Sequence, residues 1–267
     1  MTRAAPMVRR LTEELHAGVD GRHRAVLSCT EAGVVAGLGE MGELMSSGHF
    51  GSVELLCADG QSVGAHSPLA ELTGSAIELA AAGDVVLGPL GFAGGIATHC
   101  RTVIEQCPDG LRIVCGGWKK LPVALKPLLR AGLAAGGVAP RLVDGDFVYV
   151  DKNAVILRGG VTEAVTAARG LDNGPVAVQI ATPEEAIEAV VAGAAILMDD
   201  TGDLDSLRAT HQVLQDNSFR NDVTLAFAGG VATDDLERVR CSGADVVDLG
   251  RAILDAPLWD VHLVVVE

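Results

Sequence analysis

From about residue 112 onward the chain alternates short runs of consecutive apolar residues with longer, alanine-rich stretches whose apolar positions recur at helical spacing. Apolar runs at 113–115, 147–150, 176–179, 195–198, 223–227 and 246–249 are bounded by Gly or polar residues. Helices are expected between them at 123–135, 161–169, 183–192, 204–215 and 233–240. Strands that are apolar on both sides and separated by helices of about ten residues predict a parallel sheet covered on both faces. With roughly six or seven such strands, a closed barrel is favoured over an open doubly wound sheet.

The pattern before residue 112 is different. Residues 9–45 read as helical and then mixed, with a Gly-rich turn at 33–39. Short β-type pieces follow around Val53 to Leu56, Val63 to Ala65, Leu69 and Leu72, with a turn at Ala58-Asp59-Gly60-Gln61, which predicts a small α+β domain. Residues 83–98 predict a helix packed between the two parts. The first 15 residues alternate charged and apolar positions as an amphipathic helix does, without the continuous apolar stretch of a signal peptide. No apolar run approaches about 18 residues without a charge or a Gly break, so the chain is expected to be soluble and without a membrane partner.

Composition sharpens this picture. Hydrophobic residues make up 49% of the 267 residues and aromatics only 3%, so Ala, Val, Leu and Ile must fill the interior. A formal net charge of −15 argues against sequence-independent binding to nucleic acid or to an anionic membrane surface, both of which need an extended basic face. The six cysteines form no C-x-x-C pair and read as reduced thiols, mostly buried, in a cytoplasmic protein. Neither the cysteines nor the seven histidines have metal-ligand spacing, so no zinc site is expected.

Positive charge carries the first functional signal, because Lys119, Lys120, Lys126 and Lys152 are the only lysines. Their confinement suggests one wall of a site for small anionic substrates; the bland reading is chance in an Arg-rich, Lys-poor chain. In parallel barrels the chemistry sits at the C-terminal ends of the strands. That rule independently selects Cys115 to Lys120, Asp151 to Asn153, Gln179, Asp199 and Asp200, Ala228 to Val231, and Gly250-Arg251.

Ala228, Gly229 and Gly230 lie between a strand and a helix, and Gly250 and Arg251 follow the next strand, which is where many barrels hold a phosphate. Glycine also closes any tight strand-to-helix turn. Asp199 ends a strand, where a carboxylate can hold Mg²⁺ or ribose hydroxyls; helix capping by Asp200 or Thr201 is the plain alternative. Only one of two adjacent strand-end acids can face the barrel mouth. Trp118, Lys119 and Lys120 put an aromatic face and two cations on one loop, with a solvated loop as the alternative.

Several of these segments resemble quinolinate phosphoribosyltransferases, also called nicotinate-nucleotide pyrophosphorylases, in the same order and over nearly the whole chain. Gly95-Ile96-Ala97-Thr98 is similar to the family's Ser-Gly-Ile-Ala-Thr, Lys119-Lys120-Leu121-Pro122 to Arg-Lys-Thr-x-Pro, and Gly136-Gly137-Val138-Ala139-Pro140-Arg141 to Gly-Gly-x-Asn-His-Arg. Asp151-Lys152-Asn153 falls on Lys-Asp-Asn-His, Met198-Asp199-Asp200 on Leu-Asp-Asn, and Ala228-Gly229-Gly230 on Ser-Gly-Gly. The resemblance implies an N-terminal α+β sandwich (1–92), an incomplete parallel α/β barrel (93–254) and a C-terminal segment (255–267) returning to the first domain. It also implies a homodimer, or higher homo-oligomer, with shared active sites.

The implied reaction transfers phosphoribose from phosphoribosyl pyrophosphate, with Mg²⁺, to the nitrogen of quinolinate, giving nicotinate mononucleotide and CO₂ in NAD biosynthesis. By resemblance Lys119 and Asp199 would be catalytic, Asp199 also serving the ribose or the metal. Trp118, Lys120, Arg141, Lys152 and Gln179 would contact substrate, and Ala228, Gly229, Gly230, Gly250 and Arg251 the phosphate. The chain departs from the family at Asp84, Trp118, Pro140 and Asp151, which replace an arginine, an arginine, a histidine and a lysine, and at Gln179, which replaces an acid. These departures favour a phosphoribosyltransferase with an acceptor other than quinolinate. The alternatives are the ordinary quinolinate reaction and a non-catalytic phosphate-ligand-binding homologue.

Overall fold

The computed structural model describes residues 11–48 and 50–266. Most of the expected N-terminal amphipathic helix lies outside the described residues, and only 11–15 are seen to be helical. The chain forms two compact units. The first takes in the residues up to Arg101, Leu121–Gly137 and those from Ala256 on; the second is Thr102–Lys120 with Val138–Asp255.

The first unit is built on an antiparallel sheet of β1 (His23–Cys29), β3 (Ser52–Leu55), β5 (Pro68–Gly74) and β12 (Val261–Val266), in the order β12-β1-β5-β3. β2 (Gly33–Val34) and β4 (Ser62–Val63) form a separate two-stranded ribbon. β1 alternates as a half-covered strand must: Ala25, Leu27 and Cys29 are fully buried while Arg24 reaches across to Glu71 at the surface. A register shift opposite Leu27/Ser28 lets the neighbouring residues Leu69 and Ala70 both be buried. Over this face pack Leu38, Met41 and Met45 of the helix Leu38–Ser47, and Leu79, Ala82, Val86 and Leu90 of the helix Ala76–Glu105.

The long helix has the length and composition to cross a membrane, but these side chains place it in the core of the unit. Residues 23–29 fall where the sequence reads as helical or mixed. Their strand pattern depends on pairing with β12, which is distant in the chain and which the hydrophobic pattern also misses.

The helix Lys126–Gly136 belongs to this first unit, not to a strand-and-helix repeat of the second as its sequence position suggests. The reason is steric. A Cβ on Gly132 would lie 2.7 Å from the Ala93 carbonyl oxygen, and one on Gly136 would lie 2.4 Å from Cys100 Cβ, so two glycines one turn apart let this helix seat directly on Ala76–Glu105. The long helix runs through the expected boundary at 92/93, and the first unit keeps it to Arg101 and takes in two later segments.

The second unit carries a six-stranded, all-parallel sheet of β6 (Arg112–Val114), β7 (Val148–Val150), β8 (Val176–Ile180), β9 (Ile196–Asp199), β10 (Thr224–Phe227) and β11 (Val246–Asp248), in the order β6-β11-β10-β9-β8-β7. β6 and β7 are its two ends, so the barrel is incomplete, not closed. Helices Val161–Arg169, Pro183–Ala192 and Leu204–Asp216 lie where the apolar periodicity puts them. Val114, Ala177, Ile196, Met198, Ala226 and Val246, one or two from each of five strands, form a single inner cluster. Leu197, Phe227 and Val247 are buried at the alternate positions, which is why each strand reads as an unbroken apolar run.

Leu27→Ala should destabilise the protein by about 2–5 kcal/mol, because Leu27 is fully buried in the core cluster and its truncation removes packed apolar contacts and leaves a cavity. Urea denaturation followed by tryptophan fluorescence, which reports the buried Trp259 of the same cluster, measures this directly.

Candidate active site

The C-terminal ends of the parallel strands converge on a pocket of about 530 Å³ lying wholly within the second unit. The pleat decides which side chains reach it. On β9, Met198 faces inward, so Asp200 lines the pocket and Asp199 does not. On β11, Val246 faces inward and Asp248 follows it into the pocket; on β7, Tyr149 does so.

Asp199, expected to be the catalytic and metal-binding acid, is only 1% exposed. It accepts from the Thr201 backbone N–H (3.1 Å), Thr201 Oγ1 (2.6 Å) and Ser206 Oγ (3.2 Å), and so anchors the loop and the start of the next helix. Asp200 takes the place at the mouth.

The lysine loop supplies Trp118, Lys119 and Lys120 to the pocket, and the return of the chain after Gly137 supplies Pro140 and Arg141. Lys119 Nζ stands 5.1 Å from the Tyr149 ring centre and 6.0 Å from that of Trp118, and the Arg141 guanidinium lies 4.9 Å from the Phe147 ring centre. Aromatic faces thus hold two of the pocket's cations without neutralising them. Ala228, Gly229, Gly230, Gly250 and Arg251 also line the pocket, Gly250 beside Gly117 and Lys120. Gly229 and Gly230 have φ of 111° and 88°, a left-handed turn closed to most side chains. Arg251 already pairs with Asp255 at 2.8 Å on its own short helix and is highly exposed.

Lys152 does not join the other cations. β7 ends at Val150, and Asp151 then caps the helix Lys152–Arg158 by accepting from the Ala154 N–H at 2.9 Å, which leaves Lys152 in its first turn. Gln179 stands beside the pocket and acts through its neighbours: its oxygen accepts from the Lys152 N–H (3.0 Å) and its amide donates to Asp200 (2.8 Å). The departure Asp84 lies in the first unit, exposed on the long helix.

Sequence reasoning misses Asp248 as a pocket residue because it treats the strand end as Gly250-Arg251. Extending the alternation from Val246 would have found it. Burial drives the Asp248 carboxyl above the ordinary aspartate range and neighbouring Asp200 adds to this, against the opposing pull of the Gly116 N–H and the two lysines. Burial, with the carboxylates of Asp200, Asp248 and Asp151, pushes the Tyr149 phenol up to about 12, so it stays a hydrogen-bond donor at neutral pH. Burial raises the Cys115 thiol to about 11 and makes it a poor nucleophile.

Residues 11–93 match the family model described as the quinolinate phosphoribosyl transferase N-terminal domain, and residues 96–264 match that of its C-terminal domain. The chain belongs to the quinolinate phosphoribosyl transferase family. It is 26% identical over 242 residues to a probable nicotinate-nucleotide pyrophosphorylase (carboxylating) of Methanothermobacter thermautotrophicus, covering 87% of this chain and 85% of that one. It is 29% identical over 244 residues to the nicotinate-nucleotide pyrophosphorylase (carboxylating) of Rattus norvegicus, covering 90% and 81%.

Among solved structures, the nicotinate-nucleotide pyrophosphorylase from Francisella tularensis superposes with a TM-score of 0.80 at 20% identity, covering 98% of this chain and 95% of that one. The enzyme of the same name from Ehrlichia chaffeensis gives 0.78 at 18% identity and covers all of both chains. Quinolinate phosphoribosyl transferase members thus share this fold, an antiparallel N-terminal sheet and an incomplete parallel barrel.

Asp248→Asn removes the partly buried charge but keeps an oxygen for the Gly116 N–H. A carboxyl whose pKa is raised in the folded state weakens folding above its unfolded value, and the penalty disappears as pH falls through the folded value. The variant should therefore melt roughly a few degrees higher than wild type at pH 7, with the gain shrinking toward pH 4; differential scanning calorimetry across that range tests the sign.

Proposed function

We propose that the protein transfers phosphoribose from phosphoribosyl pyrophosphate to the ring nitrogen of quinolinate, the reaction named by its family, as a cytoplasmic homodimer. The observation that carries this reading is the gathering of Lys119, Lys120, Arg141 and Arg251 with Asp200 and a Gly229-Gly230 turn around one pocket lined by aromatic rings. Polyanionic substrates need such cations, and a flat heteroaromatic acceptor suits the faces of Trp118, Phe147 and Tyr149.

The mechanism is electrostatic. The acceptor nitrogen brings its own electron pair to the ribose carbon as pyrophosphate leaves with the C–O pair, so that step needs no protein base; the ring carbanion left when the adjacent carboxylate departs as CO₂ takes a proton from solvent. Arg141 would hold an acceptor carboxylate, Lys119 would meet the negative charge that builds on departing pyrophosphate, and the backbone N–H groups at Gly229, Gly230 and Gly250 would hold the 5′-phosphate. Mg²⁺ would travel with the pyrophosphate and neutralise part of its charge. Asp200, oriented by Gln179, is the side chain placed to meet it.

A second reading, an acceptor other than quinolinate, rests on what occupies the departed positions. Asp151 is committed to its helix cap, Gln179 is bonded to Asp200, and Pro140 and Trp118 line the pocket without charge. Incubating the protein with phosphoribosyl pyrophosphate, Mg²⁺ and quinolinate should release CO₂ and form nicotinate mononucleotide, and Lys119→Ala should lower kcat/KM by at least about tenfold. Turnover with other pyridine carboxylates but not quinolinate would support the second reading. Thermal stabilisation by phosphoribosyl pyrophosphate with no turnover of any acceptor would overturn the enzyme assignment.

A further inference from the structure

The loop that carries Lys119 and Lys120 sits on the end of β11 and on the short helix Gly250–Leu254 that follows it. Gly116 donates its backbone N–H to Asp248 Oδ1 at 2.7 Å, and a Cβ on Gly116 would lie 2.3 Å from Asp248 Oδ2. One residue later, a Cβ on Gly117 would meet Leu254 Cδ1 at 3.0 Å and the Gly250 carbonyl oxygen at 3.1 Å. The 3₁₀ turn Gly117–Lys120 starts from this seat, so the direction in which both lysines leave it depends on how the two glycines are held.

A carboxylate suits the position on two grounds. Its oxygen gives the Gly116 N–H a partner, and Lys120 and Lys119 offset part of the cost that burial and Asp200 put on its charge.

We infer that Asp248 is a positioning residue whose carboxylate grips the Gly116 amide and thereby sets where Lys119 and Lys120 meet the pyrophosphate group of the substrate. The inference rests on the phosphoribosyl-transfer reading above. It differs from that reading in placing control of the lysine loop on a strand-end acid that need not touch substrate itself.

Calorimetric titration with inorganic pyrophosphate and Mg²⁺, beside steady-state kinetics and a melting curve for each variant, provides the test. Asp248→Ala should weaken pyrophosphate binding and raise KM for phosphoribosyl pyrophosphate by about tenfold or more, with a smaller change in kcat. Asp248→Asn keeps an acceptor for Gly116 and should bind within about threefold of wild type. Gly116→Ala drives the same pair apart from the other side and should weaken binding comparably. In an Asp248→Ala background it should add little, because the atoms its Cβ would strike are gone.

Folded Asp248→Ala protein that binds pyrophosphate as wild type does, an Asp248→Asn variant no better than Asp248→Ala, or single effects that simply add would each overturn the inference while leaving the proposed reaction intact. Wild-type protein that binds neither pyrophosphate nor phosphoribosyl pyrophosphate would remove both.

Discussion

Burial of a parallel sheet on both faces organises the second unit, because every strand must present one row of apolar side chains inward and another to the helices. Val114, Ala177, Ile196, Met198, Ala226 and Val246 form the inner row, while Leu197, Phe227 and Val247 fill the outer one. Once these rows are committed to their faces, the pleat leaves no freedom at the strand ends. Asp200 and Asp248 must turn into the pocket, and Asp199 must turn away. The pocket therefore inherits its geometry from hydrophobic packing several residues upstream.

Charge is then distributed against that geometry. In a chain with net charge −15, the pocket gathers two lysines and two arginines with two carboxylates. Two of these cations are held by aromatic faces, which leave their charge unneutralised: Lys119 stands near the Tyr149 and Trp118 rings, and Arg141 lies over Phe147. The acids are held by donors, Asp248 by the Gly116 amide and Asp200 by Gln179. Gln179 serves two neighbours at once. An acid there would repel Asp200, whereas the amide donates to it and at the same time accepts from the Lys152 backbone.

The first unit follows a different logic. Its sheet joins β1 to β12, elements from opposite ends of the described chain, and its core takes the helix Lys126–Gly136 out of the run of barrel elements. Small residues make this possible, since Gly132 and Gly136 bring that helix against the backbone of the long helix. No local hydrophobic period signals such a contact. The 3.6-residue period marks residues 126–136 as helical but says nothing about which partner receives them.

What the residues determined by themselves is local and periodic. The apolar runs at 176–179 and 195–198 and the helices Val161–Arg169 and Pro183–Ala192 follow from side-chain spacing alone. The glycines at 229 and 230 and the lysines at 119 and 120 were recognisable from residue type next to a strand end, because βα turns expose backbone N–H groups wherever a parallel barrel forms. Tertiary structure decided the rest: the choice between Asp199 and Asp200, the withdrawal of Lys152 into a capped helix, the arrival of Asp248 and Tyr149 in the pocket, and the pairing of β1 with β12. Each turns on which face of an element is buried, or on a partner far away in sequence, and both are set only when long-range packing fixes the register.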